Sequence, residues 1–296
     1  MLKSVAIPIV SLLATLVVTL LALLALPSAG MAQDQAPRGV VPPGFVAAGI
    51  PEMPNPPGPA PKHDLNGAWI GPFKRAIGPY AEMTPAGKAA FALNRPVPSA
   101  GQRQPSDAPL RAANDPFTIC DPLGFPRDLL NSAISSRGGI VFEPAPNRML
   151  MLFEQQRVYR EVWTDGRQLP AKVDAPAAPD SRFYGYSVGH WEGDNVFVID
   201  TTGLDPRTWL DEQGHPHTNA AKLQERWTRL DQYHLEATVT VDDQKFYTGP
   251  FQLMKTDYYW MKNQEFEETL CVPSEAIEYR DKLANPSGWG PVTGAK

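Results

Sequence analysis

Two histidines and an aspartate lie within one short segment, and their types and spacing suit acid–base chemistry. His215 and His217 flank Pro216, and Asp211 precedes His215 by four positions. A carboxylate beside an imidazole fixes its tautomer and raises its basicity, which is how a proton-transfer base is built. We therefore expect His217 to act as the base and His215 or Asp211 to orient it. Trp209, at the start of the segment, is expected to contact the substrate.

The same segment has two other interpretations. A metal site needs three His, Asp or Glu ligands and one open position, and His190 could join the two loop histidines. However, the His-Pro-His spacing matches no recognised zinc pattern. A purely structural turn would use the imidazoles and Asp211 to satisfy backbone groups. We predict no metal and no cofactor, and the structural interpretation stays open beside the acid–base one.

Tyr186 and His190 lie on one face of a predicted strand, because they alternate with Ser187 and Gly189 along it. If that face points into a barrel, a phenol and an imidazole line the cavity together. If it points to solvent, Trp191 only packs at its rim. We predict that both residues bind substrate.

Glu225 lies on the apolar face of another predicted strand, with Leu223 and Trp227. A carboxylate on an inward face must be paired, protonated or functional, because burying it alone costs several kcal/mol. A structural pair with one of three arginines is one interpretation: Arg127, Arg160 or Arg182. A general acid in the substrate cavity is the other. Arg127 could instead clamp an anionic ligand, so Arg127 and Glu225 are both predicted substrate-binding residues.

The elements that position these residues are mostly β-strands. Alternating apolar and polar residues, broken by turn residues such as Asp165-Gly166 and Gly193-Asp194, predict strands at 66–70, 148–155, 157–164, 186–192, 196–202, 223–230, 234–241 and 251–260. Short helices are predicted at 84–93 and 274–283. Strands and helices do not alternate, which excludes a doubly wound parallel sheet. We predict a mainly β fold, an antiparallel up-and-down barrel with short flanking helices, with a two-sheet sandwich as the runner-up.

Composition excludes several classes of protein. The 27 basic and 32 acidic residues give a net charge of -5 with no basic stripe, so nucleic acid is not an expected partner. The 32 prolines argue against a helical bundle. The sequence has no G-x-S-x-G, phosphate-loop, G-x-G-x-x-G or H-E-x-x-H motif. Nothing in it fixes the oligomeric state.

The N-terminus predicts export. An apolar run from Val5 to Leu26 ends in Pro27, and small residues precede a cleavage point after Ala32. An uncleaved membrane anchor is the alternative. We expect cleavage, no stable membrane anchor afterwards, and a periplasmic or secreted location. The predicted organisation is a signal peptide at 1–32, a proline-rich tether at 33–63, a barrel at 64–262, and a C-terminal helix and tail packed on the barrel at 263–296.

Cys120 and Cys271 form an even pair in a chain predicted to reach an oxidising compartment. A disulfide between them is the expected state. Two buried free thiols are the alternative.

An ordered set of motifs carries a resemblance to a known family. The set consists of Asp64-Leu-Asn-Gly-Ala-Trp69, Cys120-Asp-Pro-Leu-Gly-Phe-Pro-Arg127, Trp163-Thr-Asp-Gly-Arg167, Tyr184-Gly-Tyr-Ser-Val-Gly-His-Trp-Glu-Gly-Asp194 and Trp209-Leu-Asp-Glu-Gln-Gly-His-Pro-His217. Over Asp64 to Tyr279 the chain resembles a large group of exported bacterial proteins thought to be lipocalin-like. It departs from them at Asp242-Asp243-Gln244, where they read Asp-Asp-Pro. The resemblance implies a small-molecule-binding barrel and supplies no settled reaction.

These observations leave two kinds of function. The first is an enzyme that performs cofactor-free proton transfer, an isomerase, lyase or hydratase. The second is a non-catalytic carrier. In either case the 7 Trp, 9 Tyr and 12 Phe residues suit an apolar or aromatic small molecule as the partner. A convergent acid–base pair in one pocket would distinguish the enzyme.

Overall fold

The computed structural model describes residues 56–96, 113–131, 139–154, 157–261 and 270–283. Within them, nine strands close into a barrel in chain order, because the last strand pairs with the first. The strands are β1 Gly67–Ile77, β2 Gly139–Ala145, β3 Arg148–Phe153, β4 Val158–Trp163, β5 Tyr186–Glu192, β6 Val196–Thr202, β7 Lys222–Arg229, β8 His234–Asp242 and β9 Phe251–Met261. This confirms the predicted mainly β barrel and leaves no place for a sandwich.

Short helices flank the strands, as predicted. Helix α1 begins at Pro85 and is capped by Thr84, whose Oγ1 accepts the backbone N–H of Gly87. A 3₁₀ turn follows at Pro116–Ile119, and helix α2 spans Arg127–Asn131. Helix α3 spans Pro273–Glu278 and continues as a π turn over Tyr279–Leu283. No helix in these described ranges is long and apolar enough to cross a membrane.

The pairing of two neighbouring strands shows that the prediction of an entirely antiparallel barrel was wrong. Strands β4 and β5 pair in parallel, over Val162 with Ser187 and Trp163 with Val188. Parallel neighbours need a long connection, because the chain must return to the end of the barrel from which it came. Residues 164–185 make that return along the outside, and we call them the crossing segment. Strand β2 was not predicted, since Pro144 breaks its strand pattern.

The two ends of the barrel differ. At one end tight turns join the strands, as between β5 and β6, and we call it the turn end. At the other, the loop end, long connections meet: residues 78–96, 113–131, 203–221 and 243–250. Because the predicted histidine segment and Arg127 belong to these connections, the register of the strands gathers them at the loop end.

The barrel interior is filled by side chains. The rings of Phe142 on β2 and Trp227 on β7 meet across it with centroids 5.0 Å apart, and Tyr258 on β9 packs 5.5 Å from Trp227. Phe125 and Leu129, both fully buried, close the loop end. Among the described residues, the interior is therefore a packed core.

The predicted disulfide between Cys120 and Cys271 is confirmed, with the two Cα atoms 5.5 Å apart. It ties the 3₁₀ turn to the segment that leads into α3. Most side chains of α3 are exposed. The predicted signal peptide at 1–32, the tether up to residue 55, and residues 262–269 and 284–296 lie outside the described residues.

Candidate functional site

In the histidine segment, the imidazole of His215 is held by a carboxylate and two aromatic rings. Its Nδ1 lies 2.6 Å from Oδ2 of Asp211, and its ring is stacked between Tyr80 and Phe91, with centroids 3.9 and 4.9 Å away. The Tyr80 hydroxyl also donates to Oδ2 of Asp211. Oδ1 of Asp211 accepts the backbone N–H groups of Gln213 and His215. The predicted Asp211–His215 pair is thus present.

The environment of Asp211 favours its ionised form. Burial opposes ionisation of Asp211, but the hydrogen bonds and charge of His215, with the Tyr80 hydroxyl, outweigh it and hold the pKa of Asp211 below its usual value. Burial, followed by the Asp211 charge, raises the pKa of Tyr80. Both faces of the imidazole are covered, so only the Nε2 edge of His215 could meet a substrate. No group in the described part of the chain is hydrogen-bonded to that edge.

His217 is engaged at both ring nitrogens. Its Nε2 lies 2.8 Å from Oγ1 of Thr208, and its Nδ1 lies 3.1 Å from the carbonyl oxygen of Thr218. Burial lowers its pKa, so the ring is neutral and carries one N–H. The Thr208 hydroxyl donates its proton to the carbonyl of Asp205 at 2.8 Å, and the Thr218 carbonyl can only accept, so both ring nitrogens of His217 lie against groups that hold the ring in place. With the ring 1% exposed, this geometry does not fit the predicted role of His217 as the base.

Arg127 and Trp209 also make structural contacts inside the protein. The two terminal nitrogens of Arg127 each donate to one carboxylate oxygen of Asp115 at 2.8 Å. The guanidinium carbon lies 5.2 Å from the ring centroid of Trp209, and all three side chains are buried. Because Asp115 occupies the fork of Arg127, this pairing favours a structural role over the predicted anion clamp.

Glu225 is paired inside the barrel, and its partner is Arg160. Oε1 and Oε2 of Glu225 accept from the two terminal nitrogens of Arg160 at 2.7 and 3.0 Å. Oε2 also accepts from the indole N–H of Trp227, and Arg160 donates to Ser187 and Thr201. These contacts satisfy both charges, so the structural interpretation of Glu225 fits better than a free acid.

Tyr186 and His190 face away from Glu225. Ser187 points inward to Arg160, so its neighbours on β5 point outward. The Tyr186 hydroxyl donates to the backbone carbonyl of Asp180, and the side chain of His190 is 56% exposed. The expected single cavity holding Tyr186, His190 and Glu225 is therefore not formed.

Two grooves lie beneath the crossing segment on the outside of the barrel. The larger groove, of about 1020 Å³, is enclosed by residues 166–175 and by parts of β5, β6 and β7, and His190 lines it. The seam groove, of about 640 Å³, follows the short parallel seam and is lined by residues 182–188 and by Arg160. They share Trp163, residues 167–170 and Val188. Tyr186 lines the seam groove.

An acid–base pair that the sequence did not reveal adjoins the seam groove. The Tyr184 hydroxyl donates to Oδ2 of Asp128, which is fully buried in α2. The other oxygen, Oδ1, has no hydrogen-bond partner among the described residues. Tyr184 itself is part-buried and lines the groove. The two residues lie 56 positions apart, so no local motif joins them.

Close backbone packing brings this pair together. The N–H of Phe125 donates to the carbonyl of Phe183, next to Tyr184. Gly124 permits this approach, since it adopts a φ of +75° and a Cβ there would lie 2.8 Å from that same carbonyl oxygen. The contact places α2, which starts two residues after Phe125, beside the crossing segment.

Burial raises the pKa of Asp128 to about 7, against the smaller opposing effects of the Tyr184 hydrogen bond and the Arg127 charge. Burial and the Asp128 charge likewise raise the pKa of Tyr184. A carboxyl group that titrates near neutrality and is hydrogen-bonded to a phenol at a groove wall is suited to proton transfer. One sequence signal could have pointed to Asp128: the adjacent charges of Arg127 and Asp128 interrupt the otherwise uncharged run 123–130.

This raised pKa makes a prediction about stability. The folded protein holds the Asp128 proton up to about pH 7, whereas the unfolded chain releases it near 3.8, so this group destabilises the fold progressively as pH rises through that window. Asp128→Asn should therefore gain stability relative to wild type between pH 4 and pH 8, by on the order of 4 kcal/mol at most. Melting temperatures across this range measure the gain.

Asp194→Asn is the matched control. Its carboxylate is exposed beside Lys62, whose hydrogen bond and charge lower its pKa, so its substitution should change stability in the opposite direction with pH, and weakly. A melting-temperature difference between Asp128→Asn and wild type that does not grow from pH 4 to pH 8 would contradict the raised pKa.

Within the described ranges, no group of three or more His, Cys, Asp and Glu side chains is placed to hold a metal ion. The loop end holds two pairs able to move protons, Asp211–His215 and Asp128–Tyr184, and Tyr184 of the second pair lines a groove. No protein-family model matches this chain, and no curated protein matches it in sequence.

Proposed function

We propose that this protein is an exported small-molecule-binding barrel that catalyses acid–base chemistry on an apolar or aromatic compound. The reaction class is isomerase, lyase or hydratase, without a cofactor. The observation that carries this proposal is the Tyr184–Asp128 pair at the wall of the seam groove. This assignment replaces His217 as the expected base, while the small-molecule partner stays as the sequence predicts.

Export is supported by two observations. The apolar N-terminal run with small residues before Ala32 has the form of a secretory signal. The Cys120–Cys271 disulfide is of a kind that persists in oxidising compartments. Both favour a periplasmic or secreted location.

The pair can pass a proton in either direction. When Asp128 is protonated, Tyr184 donates its proton to a substrate atom, and Asp128 replaces that proton through their existing hydrogen bond. When Asp128 is ionised, Tyr184 passes its proton to Asp128 and takes one from the substrate. The reverse transfers restore both groups. Burial and the Asp128 charge raise the pKa of Tyr184, and the charge of Arg160, which also lines the groove, is a smaller opposing effect that favours the phenolate.

The test is proton exchange with solvent. Wild-type protein is incubated in deuterium oxide with a panel of small aromatic and aliphatic ketones, and mass spectrometry measures deuterium incorporated at carbon. Tyr184→Phe should lower the exchange rate by roughly 10²–10⁴, the usual contribution of a general acid or base. Tyr233→Phe, which loses a hydroxyl at the turn end, is the matched control and should exchange like wild type.

Unchanged exchange in Tyr184→Phe would rule out the pair as the proton-transfer group. Melting temperatures of both variants show whether a loss reflects chemistry rather than unfolding.

A non-catalytic carrier is the second candidate, and the larger groove favours it. The carboxylate in its lining, Asp200, already accepts from the Gln224 amide at 3.0 Å, and no acid–base pair like Tyr184–Asp128 lines it within the described residues. A carrier would bind members of the panel and return them without deuterium.

A further inference from the structure

The larger groove carries positive charge that the fold leaves uncompensated. Lys172 and Lys222 both line it, and both are exposed. Within the described part of the chain neither lysine has an ion-pair partner. Asp242 lies opposite Lys222 on β8 but is not ion-paired with it. In a chain with a net charge of -5, a groove with two free ammonium groups stands out.

The other charged side chains of this groove leave its net charge positive. Arg167 pairs with Asp165 at 2.6 Å and lies over the ring of Trp163, with its guanidinium carbon 3.5 Å from the centroid. The Asp200 carboxylate also lines the groove, and its Oδ1 accepts from the neutral Gln224 amide. Two unpaired ammonium groups thus stand against one carboxylate, and the resulting net positive charge favours an anion.

The rest of the lining is apolar. Leu169, Pro170 and Val173 from the crossing segment face Val188 of β5, with the indole of Trp163 at one side. Such surfaces bind an aromatic or branched apolar body, because burying apolar area is favourable and does not require a fixed orientation. Because the groove has both a charged part and an apolar part, it suits an amphipathic ligand.

We propose that the larger groove binds an organic anion, a carboxylate or sulfonate with an aromatic or branched apolar body. The acidic group lies at Lys172 and Lys222, and the apolar body lies against Trp163 and the crossing segment. This inference rests on the proposed small-molecule binding and not on the proposed proton transfer.

Two fluorescent probes that differ by a single acidic group test this. 1-Anilinonaphthalene-8-sulfonate is an anion, and N-phenyl-1-naphthylamine is its neutral counterpart. In titrations at low ionic strength, wild-type protein should bind the sulfonate about tenfold more tightly, as expected for two exposed ion pairs. Added salt should reduce the preference, since exposed charges are screened.

Lys172→Met/Lys222→Met should abolish this preference and leave affinity for the neutral probe unchanged. Lys172→Glu/Lys222→Glu should reverse it. Lys88→Met/Lys255→Met removes the same charge from exposed lysines that do not line the groove, and should keep the preference.

Equal affinity for the two probes in wild type, or a preference that survives Lys172→Met/Lys222→Met, would overturn the anion proposal while small-molecule binding stands. If neither probe binds wild type, the proposed binding function fails together with this inference. Deuterium exchange into the ketone panel is measured separately, so an absence of exchange there leaves the anion-binding result unaffected.

Discussion

Glu225→Gln should lower the free energy of unfolding by about 3–5 kcal/mol, the usual cost of removing one partner of a buried ion pair. The reason is that Arg160, with its side chain 1% exposed, would keep its charge without a counter-ion. Its other contacts among the described residues are neutral: the hydroxyls of Ser187 and Thr201, the sulfur of Met151, and the ring of Phe125, 3.9 Å from the guanidinium carbon. Urea denaturation measures the loss.

Arg160→Met/Glu225→Gln should recover most of that stability. The double variant has no buried charge at this site, the Gln side chain can still accept from the Trp227 indole, and Ser187 and Thr201 keep their mutual hydrogen bond of 3.0 Å. Arg226→Met breaks the exposed pair with Glu192 and is the control, with an expected cost below about 1 kcal/mol. A double variant less stable than Glu225→Gln would contradict this account of the pair.

Loss of the disulfide has the other large expected effect. Cys120 and Cys271 are 151 residues apart, so the bond restricts a long loop of the unfolded chain. In the chain-entropy model, Cys120→Ser/Cys271→Ser should lose about 5 kcal/mol of stability. Denaturation of the oxidised wild type and of the variant measures the difference.

Reduction provides the internal control for this result. A thiol reductant should bring the wild type to the stability of Cys120→Ser/Cys271→Ser and leave that variant unchanged. Limited proteolysis should also cut near α3 sooner in the variant, because the helix is mostly exposed and the disulfide anchors it to the 3₁₀ turn. Equal denaturation midpoints for oxidised wild type and variant would refute the stabilising role.

The hairpins of this fold were predictable, and its seam was not. Strands β5 and β6 have the predicted bounds, because an alternating apolar pattern and a Gly-Asp turn specify a hairpin locally. The parallel pairing of β4 with β5 depends on the crossing segment, which brings the chain back to the loop end before β5 begins. That segment is irregular and carries no periodic pattern, so the sequence alone does not show that it returns to the loop end.

In the candidate site, too, local contacts were predictable from the sequence and long-range contacts were not. The Asp211–His215 pair was predictable because its members are four residues apart in one turn. The Tyr184–Asp128 pair depends on Gly124, Phe125 and Phe183 meeting across the fold. The alternation along β5 predicts that Tyr186 and His190 share a face but not which way that face points, since a side-chain period of two fits either side of a sheet.

¹³C NMR of labelled aspartate carboxyls tests most directly whether Tyr184 and Asp128 form a proton-transfer pair at a ligand-binding groove. Asp128→Asn identifies the signal by its loss. We predict that the Asp128 signal titrates near pH 7, well above an ordinary aspartate, and shifts when a ketone of the exchange panel is added. An Asp128 signal that titrates near pH 4 and does not respond to the ketone would show that the two residues do not form such a pair.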